Sequence, residues 1–223
     1  MNEFELRSRV VEASREASFL KLNSGTSGNI SVRCGTGMLI TPTGIPDHEL
    51  TVGMIVPCGL DGSHSSQWLP SSEWAMHARI YAAFERAQAI VHAHPDQCVA
   101  FSCLRKPLPA FHYMIASFGG EDVRCSRYET FGSPALAAAA VEALRERNAC
   151  LLANHGMICF ADDLAKALAN AVKLETLARQ YWLARSVGDP VLLSEDEMME
   201  VKARYGSYGQ QSAKLAREAR EKP

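Results

Sequence analysis

Long apolar runs are missing from this 223-residue chain: none approaches the roughly 20 positions a membrane helix needs, which predicts no bilayer span. A basic stripe is missing too. Lys and Arg number 23 against 25 Asp and Glu, for a formal net charge of −2, and they are scattered. A nucleic-acid groove needs clustered positive charge, so that class of partner is excluded. The opening MNEFELRSRV carries acidic residues and no hydrophobic signal core, which predicts no export signal and a cytoplasmic protein. CxxC spacing is absent among the seven cysteines (Cys34, Cys58, Cys98, Cys103, Cys125, Cys150, Cys159), and the count is odd. Such thiols are expected to stay reduced and to act as small buried hydrophobes. Internal repeats and separating linkers are also lacking. One domain over residues 1–223 is therefore expected, with about 210–223 (QQSAKLAREAREKP) a mobile charged tail.

What is present is globular. With 47 % hydrophobic and 22 % charged residues, a chain of this length buries about 70 % of its unfolded surface. Phe4, Val10, Val11, Ala17 and Leu20 recur near helical spacing over 4–22. Short β-type runs follow, ISVR, GMLIT and MIVP, punctuated by Gly and Pro. SSEWAMHARIYAAFE reads as a helix with Ser71 or Ser72 as N-cap and Glu73 in its first turn. AIVHAH is a buried strand stopped by Pro95, and a helix is expected around 96–104, then irregular chain to Phe131. Ser133-Pro134 opens the helix PALAAAAVEALRERN. ACLLAN and MICFA are further strands around His155-Gly156. A long helix from about Asp163 to Val187 ends at Gly188, and SEDE is a capping box opening the last helix. Interleaved strands and helices predict an α/β fold, a sheet covered by helices with mixed or antiparallel pairing.

The sharpest chemical signal is His92-Ala93-His94. Residues i and i+2 of a strand point to one face, so two imidazoles can converge on one ion. A catalytic zinc wants three protein ligands and an open position. His155 ends another apolar strand before a glycine and is the third candidate, though strand-end histidines can equally be bland. His48, His64, His77 and His112 sit in loops or on a helix face. Glu73 offers a base if it stands beside a cation, and otherwise only satisfies a helix dipole. Three small polar clusters remain: Thr26, Ser27, Gly28 and Asn29 in NSGTSGNIS; Thr43 and Gly44 in TPTG; and Ser71-Ser72 at a helix start. Each reads alone as a turn, but together they can cradle a phosphate without Lys or Arg.

The motifs GTSGNISVR, GMLITPTGIP, LPSSEW, IVHAH, FHYMIA, ETFG and ANHG, running through residues 5–209 without a large insertion, resemble the class II aldolase/adducin family, and within it the fuculose-phosphate aldolase branch. The resemblance implies a three-layer α/β/α fold with a central mixed, largely antiparallel sheet, and a cytoplasmic homotetramer with active sites between subunits. It implies Zn2+, one per subunit, on His92, His94 and His155, with Glu73 as catalytic carboxylate. It implies substrate phosphate held by Thr26, Gly28, Asn29, Thr43, Gly44, Ser71 and Ser72. Tyr113 matches a proton donor supplied by a neighbouring subunit. Phe131 matches a wall of the aldehyde pocket, and Tyr205 and Tyr208 match a mobile aromatic end, although the spacing between these two tyrosines is one residue short of the family pattern.

The implied reaction is reversible cleavage of an L-fuculose 1-phosphate-like ketose 1-phosphate to dihydroxyacetone phosphate and a lactaldehyde-like aldehyde. The nearest alternative is cleavage of 5-deoxyribulose or 5-methylthioribulose 1-phosphate. A family dehydratase, epimerase or decarboxylase of a phosphorylated sugar stands behind it. Glu73, where the epimerase branch usually carries Asp, and FHYMIA with Tyr113 both count against that group. A non-enzymatic adducin-like scaffold need not keep the three histidines and the glutamate.

Overall fold

Pairing starts where the chain reverses at Gly35. Strand β1 (Asn29–Cys34) folds back on β2 (Gly37–Ile40), with Ser31 opposite Ile40 and Cys34 opposite Gly37. Gly35 takes φ +56°, a left-handed conformation that glycine alone adopts without a Cβ penalty. The computed structural model describes residues 2–205. Helix α1 (Glu3–Phe19) precedes the hairpin and opens with a capping box between Asn2 and Glu5. The remaining elements are β3 (Val56–Cys58), α2 (Trp74–Ala83), β4 (Ala89–Ala93), α3 (Asp96–Cys103), α4 (Pro134–Ala143), β5 (Ala149–Leu152), β6 (Gly156–Ala161), α5 (Leu164–Val187) and α6 (Glu195–Tyr205).

The strands form one sheet in the order β3-β2-β1-β4-β6-β5, and each adjacent pair is antiparallel. The parallel component is an isolated bridge between Cys125 and Leu151 at the β5 edge. Alternation along the strands divides the core in two. Ile30, Val32, Leu39, Val91 and Cys159 pack towards α1, α3 and α5, whereas Met38, Ile40, Ile90, Ile158 and Phe160 pack towards α2 and α4. The result is the expected three-layer α/β/α arrangement. Among the described residues no helix is long and apolar enough to cross a membrane.

Local signals hold where a cap is unambiguous. Ser133 accepts from Leu136 N–H with Pro134 at the first helical position, and Asp163 accepts from Lys166 N–H. Ser194 and Glu197 form the expected capping box. Other boundaries differ. MIVP is strand only at Val56–Cys58, because Val52–Met54 closes a 3-10 turn first. Helix α4 stops at Ala143, and Glu146 three residues on has φ +59°, which no helix continues through.

The start of α2 also needs correcting. Glu73, not Ser71 or Ser72, is its N-cap, with φ −103° and ψ 14°, and its side chain caps nothing. Ser71 Oγ instead accepts from Glu73 N–H at 3.2 Å, so the serine satisfies that backbone group and leaves the carboxylate free to turn inward. The expected Tyr208 and the tail from about 210 lie outside the described residues.

Candidate active site

Central position in the sheet fixes the first ligand candidate. His92 lies on β4 opposite Asn29 of β1 and Ile158 of β6, on the sheet face that α2 covers, and is fully buried. Its Nδ1–H donates to the Met157 carbonyl at 2.8 Å, which leaves the Nε2 lone pair facing inward. His94, one residue beyond the strand, places its Nε2 2.9 Å from that of His92. Its backbone N–H is held by the Leu22 carbonyl and by Asn23 Oδ1.

His155 arrives from the turn between β5 and β6. Asn154 before it takes φ +52°, and the turn is pinned to α3: Asn154 N–H donates to the Ser102 carbonyl at 3.1 Å, and His155 N–H to Ser102 Oγ at 3.2 Å. The three rings form a near-equilateral triangle with centroids 4.7, 4.8 and 4.8 Å apart. Gly156 makes this possible, since a Cβ there would sit 2.5 Å from the Ala93 carbonyl oxygen and 2.7 Å from His94 Cδ2. Gly156→Ala is therefore expected to cost about 1–3 kcal/mol of overpacking strain and to weaken metal binding by moving His94. Differential scanning calorimetry should show a midpoint lowered by several degrees, and unchanged stability would refute the close approach.

Glu73 completes the cluster. Its Oε2 lies 2.8 Å from His92 Nε2 and accepts from Asn29 Nδ2 at 3.1 Å. Its Oε1 is 3.4 Å from His155 Nε2 and, though buried, has no hydrogen-bond partner. One ligand atom from each of Glu73, His92, His94 and His155 falls within 4.8 Å of the others. Lone pairs crowded so closely repel unless positive charge sits among them. Three imidazole nitrogens and a carboxylate are the donor set of a divalent transition metal, so the residues fit such an ion. Burial pushes the His94 and His155 imidazoles down, to about 3 and about 4, with the His92 ring adding to the effect. Both are therefore neutral ligands near pH 7. Burial also opposes ionisation of Glu73, but His92, His155 and the Asn29 amide outweigh it and hold the carboxyl well below its usual range.

Above the cluster opens a cleft of about 330 Å³. Thr26, Gly28, Asn29, Thr43, Gly44, Ser71 and Ser72 all line it, and no Lys or Arg does so among the described residues. Sheet topology brings the three clusters together. Pro42 bridges to Pro70, Ser71 N–H donates to the Thr41 carbonyl, and Thr43 N–H to that of Leu69. Gly28, at φ +75°, lets the loop close on Asn23, whose Oδ1 would stand 2.2 Å from any Cβ. Asn29 lines the cleft with one amide N–H donating to Glu73 and its Oδ1 facing His77, which leaves the second amide N–H as a donor.

Phe131 also lines the cleft, 67 % exposed. Tyr113 does not. It starts a 3-10 turn (Tyr113–Phe118) away from the cleft and is 52 % exposed. Tyr205 is half-buried at the end of α6, against the core cluster on the α1–α5 face. Sequence reasoning missed Tyr128, Glu129 and Asn154 in the lining. Arg105 ties two of these together, donating to Asn154 Oδ1 at 2.7 Å with its guanidinium 5.4 Å from the Tyr128 ring centre. Glu129 and Asn154 stand within ETFG and ANHG and Tyr128 directly precedes the first, which was the one available signal.

Residues 8–182 match the profile of the family described as Class II Aldolase and Adducin N-terminal domain. The chain belongs to that family. Among its class II aldolase relatives, a 5-methylthioribulose-1-phosphate/5-deoxyribulose-1-phosphate aldolase of Rhodospirillum rubrum is 42 % identical over 204 residues, covering 92 % of each chain. An L-fuculose phosphate aldolase of Haemophilus influenzae is also 42 % identical, over 210 residues, covering 94 % of this chain and 97 % of its own. A solved L-fuculose 1-phosphate aldolase superposes with a TM-score of 0.87 at 37 % identity, covering 91 % of this chain and 96 % of that one. Aldolases are lyases, and this class II aldolase family member is an enzyme of that class.

Proposed function

We propose that this chain is a single-domain, cytoplasmic, zinc-dependent aldolase that reversibly cleaves a ketose 1-phosphate to dihydroxyacetone phosphate and a small aldehyde. One observation carries the reading: three histidines and a glutamate meet beside a cleft that the hydroxyl, amide and backbone groups of three small polar clusters line, with Glu129 and Phe131 on its outer wall. An adducin-like scaffold has no need of that constellation.

In this reading His92, His94 and His155 hold the ion, which when bound supplies Lewis acidity to a carbonyl next to the reacting carbon. Thr26, Gly28, Asn29, Thr43, Gly44, Ser71 and Ser72 grip the phosphate and so fix that carbon beside Glu73. In the condensation direction Glu73 removes a proton from the carbon bearing the hydroxyl. Its ionised state near pH 7 and its unpartnered Oε1 suit that role. Tyr113 of a second copy would protonate the aldehyde oxygen. Its exposed ring, outside its own cleft, supports supply across an interface, and with it a homotetramer. Seven free thiols support a reducing compartment.

L-fuculose 1-phosphate is the substrate we place first. 5-Deoxyribulose and 5-methylthioribulose 1-phosphates form a second reading, favoured by the relative so named at 42 % identity. The test offers zinc-loaded protein a panel of ketose 1-phosphates and couples released dihydroxyacetone phosphate to NADH oxidation. At least one member should be cleaved, with kcat/KM at least about tenfold above the others. A zinc-loaded protein that cleaves none refutes the proposal.

A further inference from the structure

Among the described residues, His77 is a fully buried polar side chain that neither the ligand set nor the phosphate cradle uses. It sits on the buried face of α2 with no solvent exposure, and both ring nitrogens are engaged. Nε2 lies 2.6 Å from Asn29 Oδ1, and Nδ1 lies 2.7 Å from Ser31 Oγ, which lies 2.8 Å from the Tyr81 hydroxyl. We infer that His77 is a positioning residue: through Asn29 it fixes the orientation of the Glu73 carboxylate and so decides which of its oxygens takes the proton. The inference rests on the aldolase reading for the role of Glu73.

Direction along the chain follows from donor and acceptor inventories. Asn29 Nδ2 donates to Glu73 Oε2, so its other amide atom is the oxygen that faces His77, and His77 Nε2 must carry the hydrogen. Burial holds the His77 ring neutral, down at about 3, so Nδ1 is an acceptor and the Ser31 hydroxyl donates to it. Ser31 in turn accepts from Tyr81. Every bond from Tyr81 through Ser31, His77 and Asn29 therefore donates towards Glu73.

At the far end, Oε2 is tied by Asn29 while Oε1 has no hydrogen-bond partner. A carboxylate left to spin would offer either oxygen. One clamped through Oε2 holds Oε1, which accepts no hydrogen bond, in a single direction. Ser31 and His92 share the sheet face that α2 covers, on the neighbouring strands β1 and β4, which is why one helix can supply both the carboxylate and its support. A histidine needed only to fill this core would gain more from an apolar ring of equal size, because a buried polar network is costly unless every member is satisfied.

The test measures deuterium uptake by dihydroxyacetone phosphate in D2O, which reads proton abstraction without an aldehyde, alongside steady-state cleavage, bound metal and thermal midpoint. His77→Phe removes the donor and keeps the ring. It should retain one metal per chain and KM within about twofold, while kcat and exchange fall together by about 10–100-fold. His77→Gln, whose amide N–H can still reach Asn29 Oδ1, should recover most of that loss. In parallel, spectra of wild-type protein with 15N-labelled histidine should show His77 as the Nε2–H tautomer from pH 6 to 8, a readout independent of activity. Exchange at the wild-type rate in His77→Phe, no rescue by His77→Gln, loss of metal in His77→Phe, or an Nδ1–H tautomer each overturns the inference. A wild-type protein that exchanges no deuterium at all refutes the aldolase reading instead.

Discussion

Replacing His92 by alanine is expected to leave a folded protein with less than about a tenth of an equivalent of divalent metal and cleavage reduced by on the order of 10³-fold or more. No other ring can substitute. His92 is the one member of the triangle rooted within the sheet, its Nε2 lies 2.9 Å from His94 Nε2 and 2.8 Å from Glu73 Oε2, and its orientation is fixed by the bond to Met157. Alanine removes the ligand and also the side-chain donor to the Met157 carbonyl, so some stability is lost with the ion. Elemental analysis after dialysis, read beside the coupled assay, checks this. A variant retaining stoichiometric metal would place the ion elsewhere.

Glu73→Gln separates binding from chemistry. The substitution preserves shape, and a glutamine oxygen can still accept from Asn29 Nδ2, so metal content and KM are expected to stay within about twofold. Only the proton acceptor is gone. A positioned general base is worth about 10²–10⁴ in rate, and kcat should fall within that range, with deuterium uptake by dihydroxyacetone phosphate falling alongside it. Full activity in Glu73→Gln would show that another group takes the proton. A variant that lost metal in proportion to activity would make Glu73 a ligand first and a base second.

Much of this was legible locally. AIVHAH reads as a strand because β-branched and small apolar residues run up to a proline, and period two then puts His92 and His94 together; both hold. His155 was approached through strand-end placement, although it stands in the turn and is anchored by Ser102 of α3, a contact no local pattern encodes. Glu73 shows where local reasoning reaches its limit. Ser71, Ser72 and Glu73 are all plausible near a helix start, and the choice was made by imidazoles about 20 and 80 positions further on.

The same holds for His77, read as an ordinary helix-face residue. Its importance depends on Ser31 and Asn29 being presented by the neighbouring strand, 46 and 48 positions away. The three polar clusters could each be named as turns, but only the order β2-β1-β4 and the Pro42–Pro70 bridge set them around one cleft. Tyr113 stands out by family resemblance alone, since within one chain nothing directs it to the site.

The metal-side residues are carried on central strands, on the helix that covers them and on a turn pinned to α3, whereas Tyr128, Glu129 and Phe131 belong to an irregular segment outside the sheet. On the proposed reading, the proton and metal chemistry and the outer wall that meets the aldehyde end are thus mounted on separate parts of the scaffold. Drift in sequence across 128–131 can reshape what the outer wall accepts without shifting any β-strand register. A lineage built on this plan can change its diet while keeping its engine.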